Sequence, residues 1–272
     1  MLYLVATPIG NLGDFSPRAR QVLEGADIVA CEDTRTSRQL FSLLGIQVKK
    51  TIAYHDFNEE KAVPKIIEQL KAGVEMALVS DAGMPLISDP GYKLIRACRE
   101  QGIEVTSVPG PNAVLTALQL SGLPTDSFYF GGFLSPKTSQ REKSLLNVAD
   151  LPCTLIFYET AKRLTESLKA IEKTLGNRQV AVVRELTKKF EQVQTDDVSN
   201  LIDYYNENGA PKGEIVLVIQ GGKESEQPTQ NSVSIQQLRS FLSAKDTAHV
   251  LSLIQNISKK EAYAQVLAHD KL

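Results

Sequence analysis

Tryptophan is absent from the 272-residue chain, and cysteine, methionine and histidine occur only three times each. Cys31, Cys98 and Cys153 lie far apart with no CxxC spacing. That argues against zinc ribbons and redox dithiols, and an odd count fits core thiols in a reducing compartment. With His55, His249 and His269 as the only imidazoles, no metal site is expected. Also missing are GxxxxGK(S/T), GxGxxG after a strand, HExxH and Gly-x-Ser-x-Gly, so phosphate-loop, NAD, zinc-protease and serine-hydrolase chemistries lose support. No apolar run reaches membrane-spanning length, and the opening stretch before Thr7 is too short for the core of a leader, so a soluble cytoplasmic protein with no membrane association is expected. The formal charge is −2 and basic residues form no long block; any contact with nucleic acid must therefore be local.

What is present is ordinary globular material, 42% hydrophobic and 23% charged, at a length that favours two compact domains and one cleft between them. Short β-branched runs at 2–6, 28–31, 76–79, 105–108, 155–158, 180–183 and 215–219 alternate with amphipathic stretches. Near-continuous apolar strands of this kind suit sheets covered on both faces, so the expectation is an α/β protein with largely parallel sheets. Ser16-Pro17 marks one helix start and Asn58-Glu59-Glu60 another, while Gly45, Gly73 and Gly102 each follow a helical run where a left-handed residue is needed. Turn residues near Ser121-Gly122-Leu123-Pro124 divide an N-terminal domain, 1–122, from a second, 123–222. A polar linker at 223–233 and a small helical tail at 234–272 complete the expected organisation.

Three loops that follow predicted strands are rich in Gly, Pro and small polar residues: 7–14 (TPIGNLGD), 80–91 (SDAGMPLISDPG) and 109–113 (PGPNA). Ligands in open α/β sheets settle beyond the carboxyl ends of strands, where loop amides and helix N-termini converge, so the three loops are expected to line one pocket. Asp81 also suits an Asx turn, and Asn112 the N-cap of a following helix.

Together these loops resemble those of the tetrapyrrole methylase superfamily. The closer resemblance, within it, is to the branch that methylates small-subunit ribosomal RNA. It rests on TPIGNLGD at 7–14, CEDTR at 31–35, SDAGMPLISDPGY at 80–92, PGPNA at 109–113, SGLPTD at 121–126, TLIFYE at 154–159, VRELTK at 183–188 and KGEIVLV at 212–218, with LSAKD at 242–246 in the tail. Met84 stands where the family commonly has Thr, and Ala161-Lys162 where Pro-His is common. The resemblance implies two α/β domains with S-adenosylmethionine held in a cleft between them, a homodimer, and 2′-O-methylation of a cytidine in the decoding centre of 16S rRNA within the small ribosomal subunit. It also implies that the cofactor lies against Pro8, Asp81, Met84, Asn112 and Ala113 on one side and Phe157, Tyr158, Gly213, Glu214 and Ile215 on the other.

Methyl transfer from a sulfonium to a hydroxyl is an in-line displacement that needs alignment and a destination for one proton. The charged residues that end strands are the candidates for this and for holding the acceptor: Asp14, Glu32, Asp33, Arg35, Glu159, Arg184 and Glu185, with Lys188 on phosphate. Lys137, Arg141 and Lys143 form a basic group that could grip RNA, with Phe128, Tyr129 or Phe133 for stacking a base. His55-Asp56 has no neighbouring nucleophile and reads as the lead into a capped helix. Two other readings stay open: a superfamily methyltransferase acting on a small-molecule or protein acceptor, and a non-catalytic ribosome assembly factor.

Overall fold

The first four apolar runs become β1 (Leu2–Val5), β2 (Ile28–Cys31), β4 (Met76–Val79) and β5 (Val105–Val108), joined by the short β3 (Thr51–Ala53) into a sheet of order β3-β2-β4-β1-β5 with every neighbour parallel. Parallel pairing requires crossovers, supplied in chain order by α1 (Pro17–Gly25), α2 (Thr34–Leu44), α3 (Glu59–Lys71) and α4 (Tyr92–Glu100). These helices cover both faces, so neighbours along one strand point into different cores. Val29 and Cys31 pack with Leu23 and Phe41, whereas Ile28 and Ala30 pack with Tyr54, Ile66 and Leu94. The Ser16 side chain caps α1 by accepting from the Ala19 amide, and Gly45, Gly73 and Gly102 take left-handed φ values of 64°, 87° and 66° beyond their helices. Asn58 precedes α3 at its N-cap position, with Glu59 and Glu60 in the first turn, but its side chain bonds His55 and Ala53 and makes no capping bond.

After α5 (Ala113–Leu120) the chain builds a second sheet from β6 (Phe128–Phe133), β7 (Thr154–Thr160), β8 (Gln179–Arg184), β9 (Gln192–Asp197) and β10 (Glu214–Ile219), ordered β6-β7-β10-β8-β9. Only β6 and β7 are parallel; the other neighbours are antiparallel. The expectation of parallel sheets fails here for a physical reason. Continuous apolar strands report that both faces are covered and say nothing of direction. One face of β7, β8 and β10 packs with α6 (Thr138–Leu146), α7 (Leu164–Leu175) and α8 (Val198–Asn208), and the other with α5.

The α5 side decides where the two sheets meet. Val114, Ala117 and Leu118 of that helix join Ile9, from the loop after β1, in one cluster with Ile156, Val183, Val216 and Val218 of the second sheet. Both sheets therefore belong to one compact unit, Met1–Gly222, and Lys223–Leu272 forms another.

The computed structural model describes residues 1–222, 235–239, 241–255 and 257–269, so the linker expected at 223–233 lies outside the described residues. The second unit contains α9 (Ile235–Arg239), α10 (Ala244–Ile254) and α11 (Lys259–His269) around Ala248, Leu251, Ala262 and Val266. Ser243 caps α10, and Ser258 and Glu261 form a reciprocal capping box at the start of α11. No helix among the described residues is long and apolar enough to cross a membrane.

Candidate active site

Because β1, β2, β4 and β5 run the same way, the segments that follow them emerge at one edge of the first sheet, and backbone bonds stitch them together. Thr7 and Gly83 exchange N–H···O bonds of 2.8 and 3.1 Å, joining the loop after β1 to the loop after β4. The Asp33 amide donates to Asp81 Oδ1 at 3.2 Å, and the Asp81 amide donates to Glu32 Oε2 at 3.4 Å. Asn112 caps α5 by accepting from Leu115 N at 3.0 Å, while its Nδ2 lies 3.7 Å from Met84 Sδ. The long loop after β4 carries Leu86 and Ser88 at φ 75° and 70°, left-handed values that cost non-glycine residues energy and that concentrate at functional sites.

These loops face the second sheet across a cavity of about 420 Å³, a size suited to a small-molecule ligand. On the first-sheet side it is lined by Ile9, Glu32, Asp81, Met84, Asp89, Asn112 and Ala113, among others, and opposite them by Phe133, Tyr158, Val183, Leu186 and Gly213–Val216. Most residues expected at a cofactor wall are thus brought together. Pro8 and Phe157 do not line the cavity. Side chains alternate along β7, so Tyr158 faces the cavity while Phe157 points into the core on the far side with Leu134, Leu164 and Leu217. Pro8 is buried, and its neighbour Ile9 forms the wall instead.

The cavity is acidic. Burial raises Glu32, Asp81 and Asp89 above ordinary carboxylates, and repulsion adds to each shift, chiefly from Asp81 on Glu32, from Asp33 on Asp81 and from Glu32 on Asp89. Asp89 is pushed to about 6 by burial and then by Glu32, despite a hydrogen bond from Ser80. It was not singled out from sequence, although Ser88-Asp89-Pro90-Gly91 repeats the pattern of Ser80-Asp81-Ala82-Gly83 and lies in the same loop. Tyr158 is pushed up to about 12 by burial and by Asp89.

The sequence pattern of the tetrapyrrole (corrin/porphyrin) methylases matches residues 1–202. The chain belongs to the tetrapyrrole methylase family. Among its relatives, a Mesorhizobium japonicum protein named ribosomal RNA small subunit methyltransferase I is 51% identical over 80% of this chain and 74% of its own length. A Vibrio cholerae protein of the same name is 43% identical over 97% and 93%. The fold is shared with diphthine synthase, at TM-score 0.63 and 15% identity over 80% of this chain and 89% of that one. A cobalt precorrin-4 methyltransferase aligns at TM-score 0.57 and 19% identity over 80% and 93%.

In this tetrapyrrole methylase most of the other expected charged residues are committed elsewhere. Asp33 accepts from the Arg35 guanidinium at 2.8 and 3.2 Å and from the Arg35 amide at 2.8 Å, bonds that hold it down at about 2. Glu159 is buried; it pairs with Arg163 at 2.7 Å and accepts from the Thr160 amide and the Ser167 hydroxyl. Its segment borders the cavity, but its carboxylate acts as a strut between β7 and α7. Arg184 donates to Gln192 Oε1 at 2.7 Å and to the Lys212 carbonyl at 3.2 Å. Glu185 accepts from Lys188 Nζ at 2.9 Å and from the Glu214 amide at 3.1 Å, and Lys188 also reaches Glu214 at 3.0 Å. Asp14 lines a separate hollow with Gly110, Pro111, Thr116 and Thr187 that shares only Ile9 with the main cavity. The basic group needs one correction. Lys137 and Lys143 are exposed, but Arg141 is 3% exposed and donates to the Ser135 carbonyl at 3.2 Å, so it braces α6 and is not available to a phosphate.

Proposed function

We propose that the chain uses S-adenosylmethionine to methylate the 2′-hydroxyl of a cytidine in the decoding-centre region of 16S rRNA, on the small ribosomal subunit, in the cytoplasm and as a homodimer. The observation that carries this reading is the cavity, whose loops after β1, β4 and β5 face β7 and β10 in a family of methylases. The ribosomal RNA substrate is supported by relatives at 43–51% identity that carry that name.

The residues present fit the donor. Ile9, Met84, Ile87, Leu186 and Ile215 offer an apolar wall for a nucleoside ring, and Asp81 and Glu32 offer negative charge for a ligand bearing an ammonium and a sulfonium. When bound, the donor supplies an electrophilic methyl group. The protein's part is alignment and proton removal. Glu32 and Asp89, which line the cavity and are both raised by burial, are the carboxylates proposed to accept the hydroxyl proton. Asp33, Glu159 and Glu185 are each held by a cation. Asp89 is pushed up to about 6, a value that suits a base working near neutral pH.

Two measurements test the reading. Calorimetry of the purified protein should show S-adenosylmethionine binding, and mass-spectrometric mapping of small-subunit RNA should show one ribose methylation that disappears when the gene is deleted. Absence of donor binding, or an unchanged methylation map, would overturn it.

A further inference from the structure

The turn after β3, residues 54–58, carries Phe57 with 99% of its surface open to water. Single exposed apolar side chains are common, but this one sits on a firmly braced turn. The His55 amide donates to Asn58 Oδ1, Asn58 Nδ2 donates to the Ala53 carbonyl, and the Asn58 and Glu59 amides both donate to the His55 carbonyl, each at 3.0 Å. Upstream, the Tyr54 amide donates to the Cys31 carbonyl at 2.7 Å. The buried Tyr54 hydroxyl donates to Glu59 at 2.7 Å, and Glu59 pairs with Lys93 at 3.3 Å. The His55 ring meets Phe57 edge-on at 6.1 Å. A ring displayed on such a support loses little freedom when a partner arrives.

Position is the second observation. β3 runs parallel to β2, so the turn leaves the sheet at the same edge as the cavity loops. Asp56, next to Phe57 in the chain, lies close enough to the cavity acids Glu32 and Asp89 to add to the upward shift that burial begins in both.

We propose that Phe57 is a stacking platform for an unpaired base of the acceptor RNA beside the methylated nucleotide. The proposal rests on the ribosomal RNA reading above and adds the residue that receives the strand. The chemistry around the ring selects this partner. His55, Asp56 and Asn58 flank Phe57 in the chain and the His55 ring packs edge-on against it, and a single ring displayed among polar neighbours suits a planar base better than an apolar peptide face. Asp56 makes the spot unfavourable for phosphate, which leaves the base's π-face as the part of RNA that fits.

Phe57→Ala should raise KM for unmethylated small subunits between about fivefold and fiftyfold, as expected for the loss of one stacked base. Turnover at saturation and S-adenosylmethionine affinity should change less than about twofold. Phe57→Trp should keep the wild-type KM, and Phe57→Leu should not. The chain has no tryptophan, so the introduced indole is the sole one, and a single-stranded cytidine-containing RNA hexamer at low salt should quench it. An unchanged KM in Phe57→Ala, full rescue by leucine, or an indole indifferent to RNA would each overturn the proposal while wild-type methylation stands. A wild-type protein that binds the donor yet leaves small subunits unmethylated would remove the ribosomal reading and this proposal together.

Discussion

Asp89 shows how one side chain can be tuned by its surroundings at a cost to the fold. Burial, Glu32, Asp81 and Asp56 raise it from 3.8 to about 6, and the Ser80 hydroxyl opposes them; Tyr158 faces it from the second sheet. The folded protein therefore holds this proton more tightly than the unfolded chain does. Folding gains from the protonated form at low pH, the gain is lost as pH rises from about 4 through 6, and above that the ionised group is a constant liability. Asp89→Asn should remove the liability. After allowance for screening by solvent at this partly exposed site, the variant should be about 1–2 kcal/mol more stable than wild type at pH 8 and no more stable at pH 4. Methylation should fall at least tenfold and lose its ascending limb near pH 6 if the carboxylate is the proton acceptor. Thermal unfolding at the two pH values and a pH–rate profile read both effects; wild-type turnover in the asparagine variant would return the role to Glu32.

At the scale of the elements, the junction of β8 and β10 sets the far wall of the cavity. Gly213 has φ 105°, and a Cβ there would overlap the Glu185 carboxylate, which is bonded to the Glu214 amide and Lys188. Gly213→Ala should cost about 2 kcal/mol, a fall of roughly 4–8 °C in Tm, and should weaken S-adenosylmethionine binding at least tenfold. Gly45→Ala is the control: φ is also positive, at 64°, but the added carbon meets open space, so Tm should fall by a few degrees with donor affinity intact. These contacts explain what sequence could reveal. The strands most plainly legible in advance, 28–31 and 76–79, are buried on both faces. β3 is three residues long, β6 is aromatic but broken by Gly131 and Gly132, and β9 is a largely exposed polar edge strand, so none shows a continuous β-branched run. The near wall of the cavity was legible because Gly and Pro mark loops. The partners of Glu159, Arg184 and Glu185 were not, because a charged letter at a strand end does not say which neighbour neutralises it. Asp89 was hidden for the opposite reason, inside a Ser-Asp-Pro-Gly stretch that reads as a turn.

For the whole molecule, 30 basic residues stand against 32 acidic ones, and structure reduces the cations left for RNA. Arg141 is buried, Arg163 is paired with Glu159, and Lys188 is shared by two glutamates. Lys137 and Lys143 remain exposed beside α6. Binding that rests on these two lysines cannot draw its affinity mainly from counterion release. With about two to three contacts to a single strand, affinity for naked RNA should fall only about sevenfold to twentyfold between 50 and 200 mM salt. On the proposed function the remaining affinity comes from stacking and from a surface already shaped by the assembled subunit, so intact small subunits should be methylated far faster than protein-free RNA of the same sequence. Fluorescence anisotropy at the two salt concentrations and parallel initial rates on both substrates test this. A thousandfold loss of binding over that salt range, or equal rates on the two RNAs, would mean that a larger basic surface than Lys137 and Lys143 engages the strand.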